Sequence, residues 1–137
     1  MASFESRLDE ILSHLDDSPP PMYDAMKARL KGVATRLSRS IDPQGTATVT
    51  LEPGHTLNVG QQFNVVVHIP QRNNFRDTIF RAYLPPSGTP VTLDFFGGAA
   101  QTAVSPEQLE QHVIDFLSLP AIRGMIRGLR EMVQGNP

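Results

Sequence analysis

The chain has 137 residues, of which 39% are hydrophobic and 19% charged, with a net charge of −2 and no cysteine. That length and composition fit one globular domain with a real core, and they exclude disulfides, thiol catalysis and cysteine-based metal sites. The near-neutral balance gives no global case for nucleic acid, and no window reaches the apolar length of a membrane span. Met1 to Arg7 lacks a basic stretch followed by an apolar core, so no secretory signal is expected and the cytoplasm is the expected compartment.

Phe4, Leu8, Ile11, Leu12 and Leu15 recur at helical spacing behind Ser3, a suitable cap, and the helix is expected to stop near Asp17. Pro21 suits the first turn of a second helix, in which Met22, Met26, Leu30, Val33 and Leu37 form a stripe. The pair over residues 1–40 reads as a helical hairpin, semi-independent of the rest of the chain. Its charge is segregated. Glu5, Asp9, Glu10, Asp16 and Asp17 mark the first helix, while Lys27, Arg29, Lys31, Arg36 and Arg39 mark the second.

Residues 46–96 carry period-two patterns and are read as four strands, 46–52, 63–69, 77–84 and 91–96. Ala47, Val49 and Leu51 alternate with threonines, and Phe63, Val65, Val67 and Ile69 alternate with Asn64, Val66 and His68. Proline and glycine in the connections suit an antiparallel meander. In the third strand Phe80, Ala82 and Leu84 oppose Ile79, Arg81 and Tyr83, which predicts apolar surface on both faces. Phe95 and Phe96 should point to opposite faces for the same reason. Val66, Ile79, Tyr83 and Phe96 are therefore the expected protein-binding residues on a second, spare apolar face.

Ser105-Pro106-Glu107-Gln108 has the form of a capping box with proline at the first helical position, flanked by Val104 and Leu109 as a hydrophobic staple. Leu109, Val113, Phe116 and Leu117 form the stripe of that helix. Pro120 opens a last helix bearing Ile122, Met125, Ile126, Leu129, Met132 and Val133. Gly124 and Gly128 share a face in it, and their helix-weakening cost implies close backbone approach, either within the chain or at a dimer seam. The whole is a single α+β domain over residues 1–137: αα-ββββ-αα, with the C-terminal helices packed on the sheet of a 46–137 unit.

Chemistry is sparse. The four histidines, His14, His55, His68 and His112, show no metal-ligand spacing, and no phosphate loop, dinucleotide fingerprint or nucleophile elbow is present. No cofactor and no metal is expected, and enzymatic activity is disfavoured. The leading expectation is a non-enzymatic protein-interaction module, adaptor-like, chaperone-like or of immunity type, with a homodimer among its forms. The alternative is a nucleic-acid binder using Lys27, Arg29, Lys31, Arg36 and Arg39 together with Arg123, Arg127 and Arg130, should the two helices lie side by side. The turn Arg72-Asn73-Asn74-Phe75-Arg76 would add stacking and charge. A third alternative is a ligand carrier or enzyme around His55, His68 and Asp94.

Overall fold

A computed structural model of the chain describes residues 3–13, 21–57, 60–96 and 99–135, without the side chains at 13 and 55–57. His14, the helix end expected near Asp17 and the His55 side chain lie outside the described residues. The elements run α1 (Phe4–Ser13), α2 (Pro21–Ile41), β1 (Thr48–Leu57), β2 (Gly60–Ile69), β3 (Phe75–Leu84), β4 (Val91–Asp94), β5 (Gln101–Ala103), α3 (Pro106–Leu117) and α4 (Pro120–Gln134). The class is α+β, and the strands form one antiparallel meander in chain order, β1-β2-β3-β4-β5.

The sheet has five strands where the sequence pattern predicts four. β5 is three residues long, and only Ala103 of it is buried, too short for an alternating signal. It pairs with β4 through Val91↔Ala103 and Leu93↔Gln101. The fourth strand also ends earlier than expected, at Asp94. β1 and β2 are longer than expected and pair through Pro53↔Phe63, with a register irregularity between Pro53 and Thr56. Proline is compatible with β1 because that strand lies at the sheet edge, where its missing N–H leaves no ladder bond unmade.

One face of the sheet is apolar and covered. Val65, Val67, Ile69, Phe80, Leu84 and Leu93 are almost fully buried in a cluster shared with α2, α3 and α4. From α2 that cluster takes Met26, Leu30, Ala34, Leu37 and Ile41. The stripe is thus rotated from the expected one: Met22 is exposed and Val33 sits half-buried at its edge. Phe80 and Phe95 meet Phe116 of α3, with ring centroids 6.1 Å and 4.4 Å from it. Such aromatic pairs contribute about 0.5–1.5 kcal/mol each beyond the area they bury.

Side-chain and backbone caps fix the helix ends. Ser105 Oγ accepts from the Gln108 N–H at 3.1 Å, and Gln108 Oε1 accepts from the Val104 N–H at 2.8 Å, so the box closes one residue before the cap itself. At the end of α4, Gly135 takes φ 71° and Arg72 Nε donates to the Met132 carbonyl at 2.7 Å. A cation there satisfies an orphan carbonyl and favours the helix dipole. Asp42 closes α2. Its carboxylate accepts from the N–H groups of Gln44 at 3.0 Å and Ala47 at 2.8 Å. One turn earlier, Ser38 Oγ accepts from the Val49 N–H at 3.1 Å, which occupies a donor on the sheet edge.

Two kinds of glycine are distinguishable. Gly88, buried in the β3–β4 loop, has φ +90°, and an added Cβ would lie 2.4 Å from the Tyr23 backbone nitrogen. Only glycine lets that loop close against the start of α2. Gly124 and Gly128 are the reverse: among the described residues nothing lies within 4 Å of an added Cβ. The tight intramolecular packing expected at these two positions is not found, because α4 faces the core with Leu129 and its half-buried neighbours instead. Gly88→Ala should therefore destabilise the chain by at least about 1–3 kcal/mol in denaturant melts. Gly124→Ala should stabilise it by up to about 1 kcal/mol.

The Asp42 hydrogen bonds, that from Ala47 above all, outweigh the opposing effect of burial and hold its pKa below the ordinary 3.8. With the folded value depressed, the contribution to stability is complete above the unfolded value and lost as pH falls through the folded one. Asp42→Asn should lower the melting temperature at neutral pH, and the gap to the natural chain should narrow as pH falls below 3.8 and through the depressed folded value. A gap that persists unchanged in strong acid would mean that the charge is not what Asp42 contributes.

Candidate functional site

Two surfaces have enough chemistry to bind something: the uncovered face of the sheet and a furrow among the helices. The sheet face is mostly polar. Cross-strand neighbours Glu52, Asn64, Arg81 and Asp94 run across its middle in register. Thr48, His68 and Arg76 form a second row. The expected apolar character of this face is lost at two residues. Between Val65 and Val66 the register of β2 on β3 shifts, so that Val65 pairs with Phe80 but Val66 pairs with Thr78. Ile79 is the extra residue of this bulge and joins Phe80 in the core cluster. Val66 stays on the polar face but is only 9% exposed. Arg76 Nη2 donates to both Glu52 oxygens, at 2.8 and 2.6 Å. Glu52 pairs with Asn64 and Arg76 with His68, so the ion pair crosses β2 at the level of Val66.

Tyr83 is half-buried and Phe96 is 45% exposed. Phe95 and Phe96 do point opposite ways. Phe96 has φ 51°, its N–H donates to Asp94 Oδ1 at 3.0 Å, and its ring lies 5.0 Å from the Arg81 guanidinium carbon. Arg81 Nε is buried beneath this lid without a hydrogen-bond partner among the described residues. Of the four predicted contact residues, Tyr83 and Phe96 thus present surface, and Ile79 and Val66 do not.

His68 and Asp94 share the polar face but do not converge. They are separated by four residues along β2, about 13 Å, and by two strand spacings, about 9.6 Å. Among the described residues no group of three or more His, Asp or Glu side chains is placed to hold a metal ion. His112 Nε2 lies 2.9 Å from the Thr102 carbonyl, joining α3 to β5. The Arg72–Arg76 turn is likewise engaged in the fold. Arg72 holds α4, Phe75 packs on the core, Arg76 meets Glu52, and Asn73 and Asn74 adopt left-handed φ values of 55° and 56°.

The furrow lies along α2. Its wider part, about 650 Å³, is lined by Arg29, Gly32, Val33, Arg36, Glu110 and Ile114, among others. A narrower part of about 350 Å³ continues between α2 and α4, lined by Arg123, Ile126, Arg127 and Arg130. Leu37, Ser40 and Leu117 line both parts, so the two adjoin. The helical repeat explains the two faces of α2. Met26, Leu30, Leu37 and Ile41 point to the sheet, while Arg29, Gly32, Val33, Arg36 and Ser40, at spacings of three and four, point into the furrow.

The furrow has an apolar floor and a basic rim. Val33, Leu37, Ile114, Leu117 and Ile126 supply the floor, with Ile114 55% exposed. Arg36, Arg123, Arg127 and Arg130 supply the rim, and Arg130 Nε donates to the Ser40 carbonyl at 2.9 Å. Arg29 is bound to Glu110 across the wider end, and that hydrogen bond, then the charge, raises the arginine's pKa further. The condition that the two basic helices lie side by side is met, but only part of the basic set belongs to this surface. Lys27 lies on the other flank, with Nζ 5.4 Å from the Phe63 ring centroid, and Lys31 and Arg39 do not line the furrow.

No family model matches the chain, and neither curated proteins nor solved structures give a significant match. Among the described residues no helix is long and apolar enough to cross a membrane.

Leu37 of the floor belongs to the core, with Val33, Leu117 and Ile126 packed against it, whereas Ile114 should be spare surface. Ile114→Gln should change stability by no more than about 0.5 kcal/mol. Phe116→Ala, two residues on and 6% exposed, should cost about 3–5 kcal/mol. Equal losses in urea melts would show that Ile114 is packed and the furrow closed.

Proposed function

We propose that this chain is a non-enzymatic protein-interaction module whose docking surface is the furrow along α2, and that it takes an acidic amphipathic helix. The observation that carries this is an apolar floor, open at Ile114, beside an arginine rim on two adjoining concavities. An apolar helix face laid into a hydrophobic groove is a recurrent recognition mode, in which rim charges select the partner and set its register. The floor argues for a helix over a nucleic-acid backbone. Phosphates seek a cationic track, and Val33, Ile114, Leu117 and Ile126 offer them nothing. Small residues at Ala28 and Gly32 let a partner backbone come close at the wider end. Tyr83 and Phe96, on the polar sheet face, lie outside this docking surface.

The test uses three fluorescent probes: a leucine–glutamate amphipathic peptide, its leucine–lysine counterpart, and single-stranded oligouridine. The acidic peptide should bind the natural chain and lose at least about tenfold in affinity, about 1.4 kcal/mol, on Arg36→Glu with Arg127→Glu. Tyr83→Ala with Phe96→Ser, on the far side of the sheet, should leave that binding unchanged. Oligouridine binding with a steep salt dependence, and none of the acidic peptide, would replace this proposal with the nucleic-acid alternative.

A further inference from the structure

Among the described residues, α1 is a helix whose apolar side the single chain leaves uncovered. Phe4, Leu8, Ile11 and Leu12 form one stripe, and they are 79%, 40%, 62% and 49% exposed. The helix is nonetheless started by a cap, Ser3 Oγ accepting from the Ser6 N–H at 3.1 Å. A helix outside the core owes most of its stability to packing of its apolar face rather than to backbone bonds. Its stability must come from burying that stripe against something.

From these facts we infer that α1 of a second copy of this chain is the helix that fills the furrow, so that two copies exchange their N-terminal helices. The inference rests on the furrow being a helix-docking site, as proposed above. Charge complementarity carries it. On the helical repeat Glu5 and Asp9 flank one edge of the α1 stripe, and Arg7 flanks the other. The furrow answers the acids with Arg36, Arg123 and Arg127 on its rim, while its own acid, Glu110, is already paired with Arg29. Each copy holds one uncovered helix and one open furrow, so exchange closes as a two-fold dimer with neither left over.

Sedimentation of full-length chains tests this with two variants, both at exposed positions, so that the cooperative melt of the sheet and α2–α4 should persist even where an uncovered α1 loses helical signal. Leu8→Asp with Ile11→Asp removes the helix face, and Arg36→Glu with Arg127→Glu removes the rim. The natural chain should sediment at twice 15.1 kDa, and each variant alone as a monomer. An equimolar mixture of the two variants should form a dimer again, because one intact helix then meets one intact furrow. A natural chain that stays monomeric up to its solubility limit would overturn the exchange, as would a dimer that survives Leu8→Asp with Ile11→Asp. A synthetic peptide of residues 3–17 separates the two levels. Its binding to the Leu8→Asp, Ile11→Asp chain, beside a monomeric natural chain, leaves the furrow proposal standing and removes only the second copy. No binding of that peptide or of the leucine–glutamate probe removes both.

Discussion

Val65, Val67, Phe80, Ala82, Val91 and Leu93 turn one side of a five-stranded meander into a continuous apolar surface. Such a surface is stable only under a cover, and burying it supplies most of the driving force for the fold. The cover has a fixed composition. α2 lies along it with five buried side chains, α3 is fastened to its middle by the Phe80–Phe95–Phe116 contact, and α4 completes it beside α2. Three helices suffice. The consequence is that α1 has no place on the sheet, and that the outer flanks of α2, α3 and α4 meet in a furrow instead of a closed core.

The same constraint separates the charges. Arginines on α2 and α4 cannot enter the core, so they gather along the furrow where those helices converge, and they surround side chains such as Ile114 that the sheet does not need. A like-charged rim around apolar surface is self-repelling until an acidic partner arrives. On the opposite side of the sheet the polar face is finished differently. Arg76 with Glu52, and Arg81 under Phe96, satisfy or shelter one another within the chain. Among the described residues that face keeps an unmet hydrogen bond at the buried Arg81 Nε, whereas the furrow keeps exposed apolar surface at Ile114.

Long periodic segments were legible in the sequence. The cap at Ser105 and the alternation in 63–69 each have a local physical cause, and each is found, while the α2 stripe is found with its phase turned, Ala34 and Ile41 replacing Met22 and Val33 in the core. What was not legible depends on distant partners. The bulge at Ile79 turns one side chain from the polar face into the core, and nothing in Asp77-Thr78-Ile79-Phe80 signals it. β5 has too few residues to show a period. Gly124 and Gly128 suggested close packing, but glycine spacing alone does not say whether a neighbour is present. For the site, the basic residues were visible, yet which of them share a surface required the phase of α2 against the sheet. Lys27 and Arg29 are two residues apart and lie on opposite flanks.

Amide hydrogen exchange over a range of protein concentration is the sharpest probe of whether three helices satisfy the sheet while the fourth is left to find a partner. Slow exchange is expected in α2, α3, β2 and β3 at every concentration, with α1 exchanging quickly in dilute solution and gaining protection as concentration rises. Protection of α1 equal to that of α2 in dilute solution, or rapid exchange in β2 and β3, would contradict this division of labour.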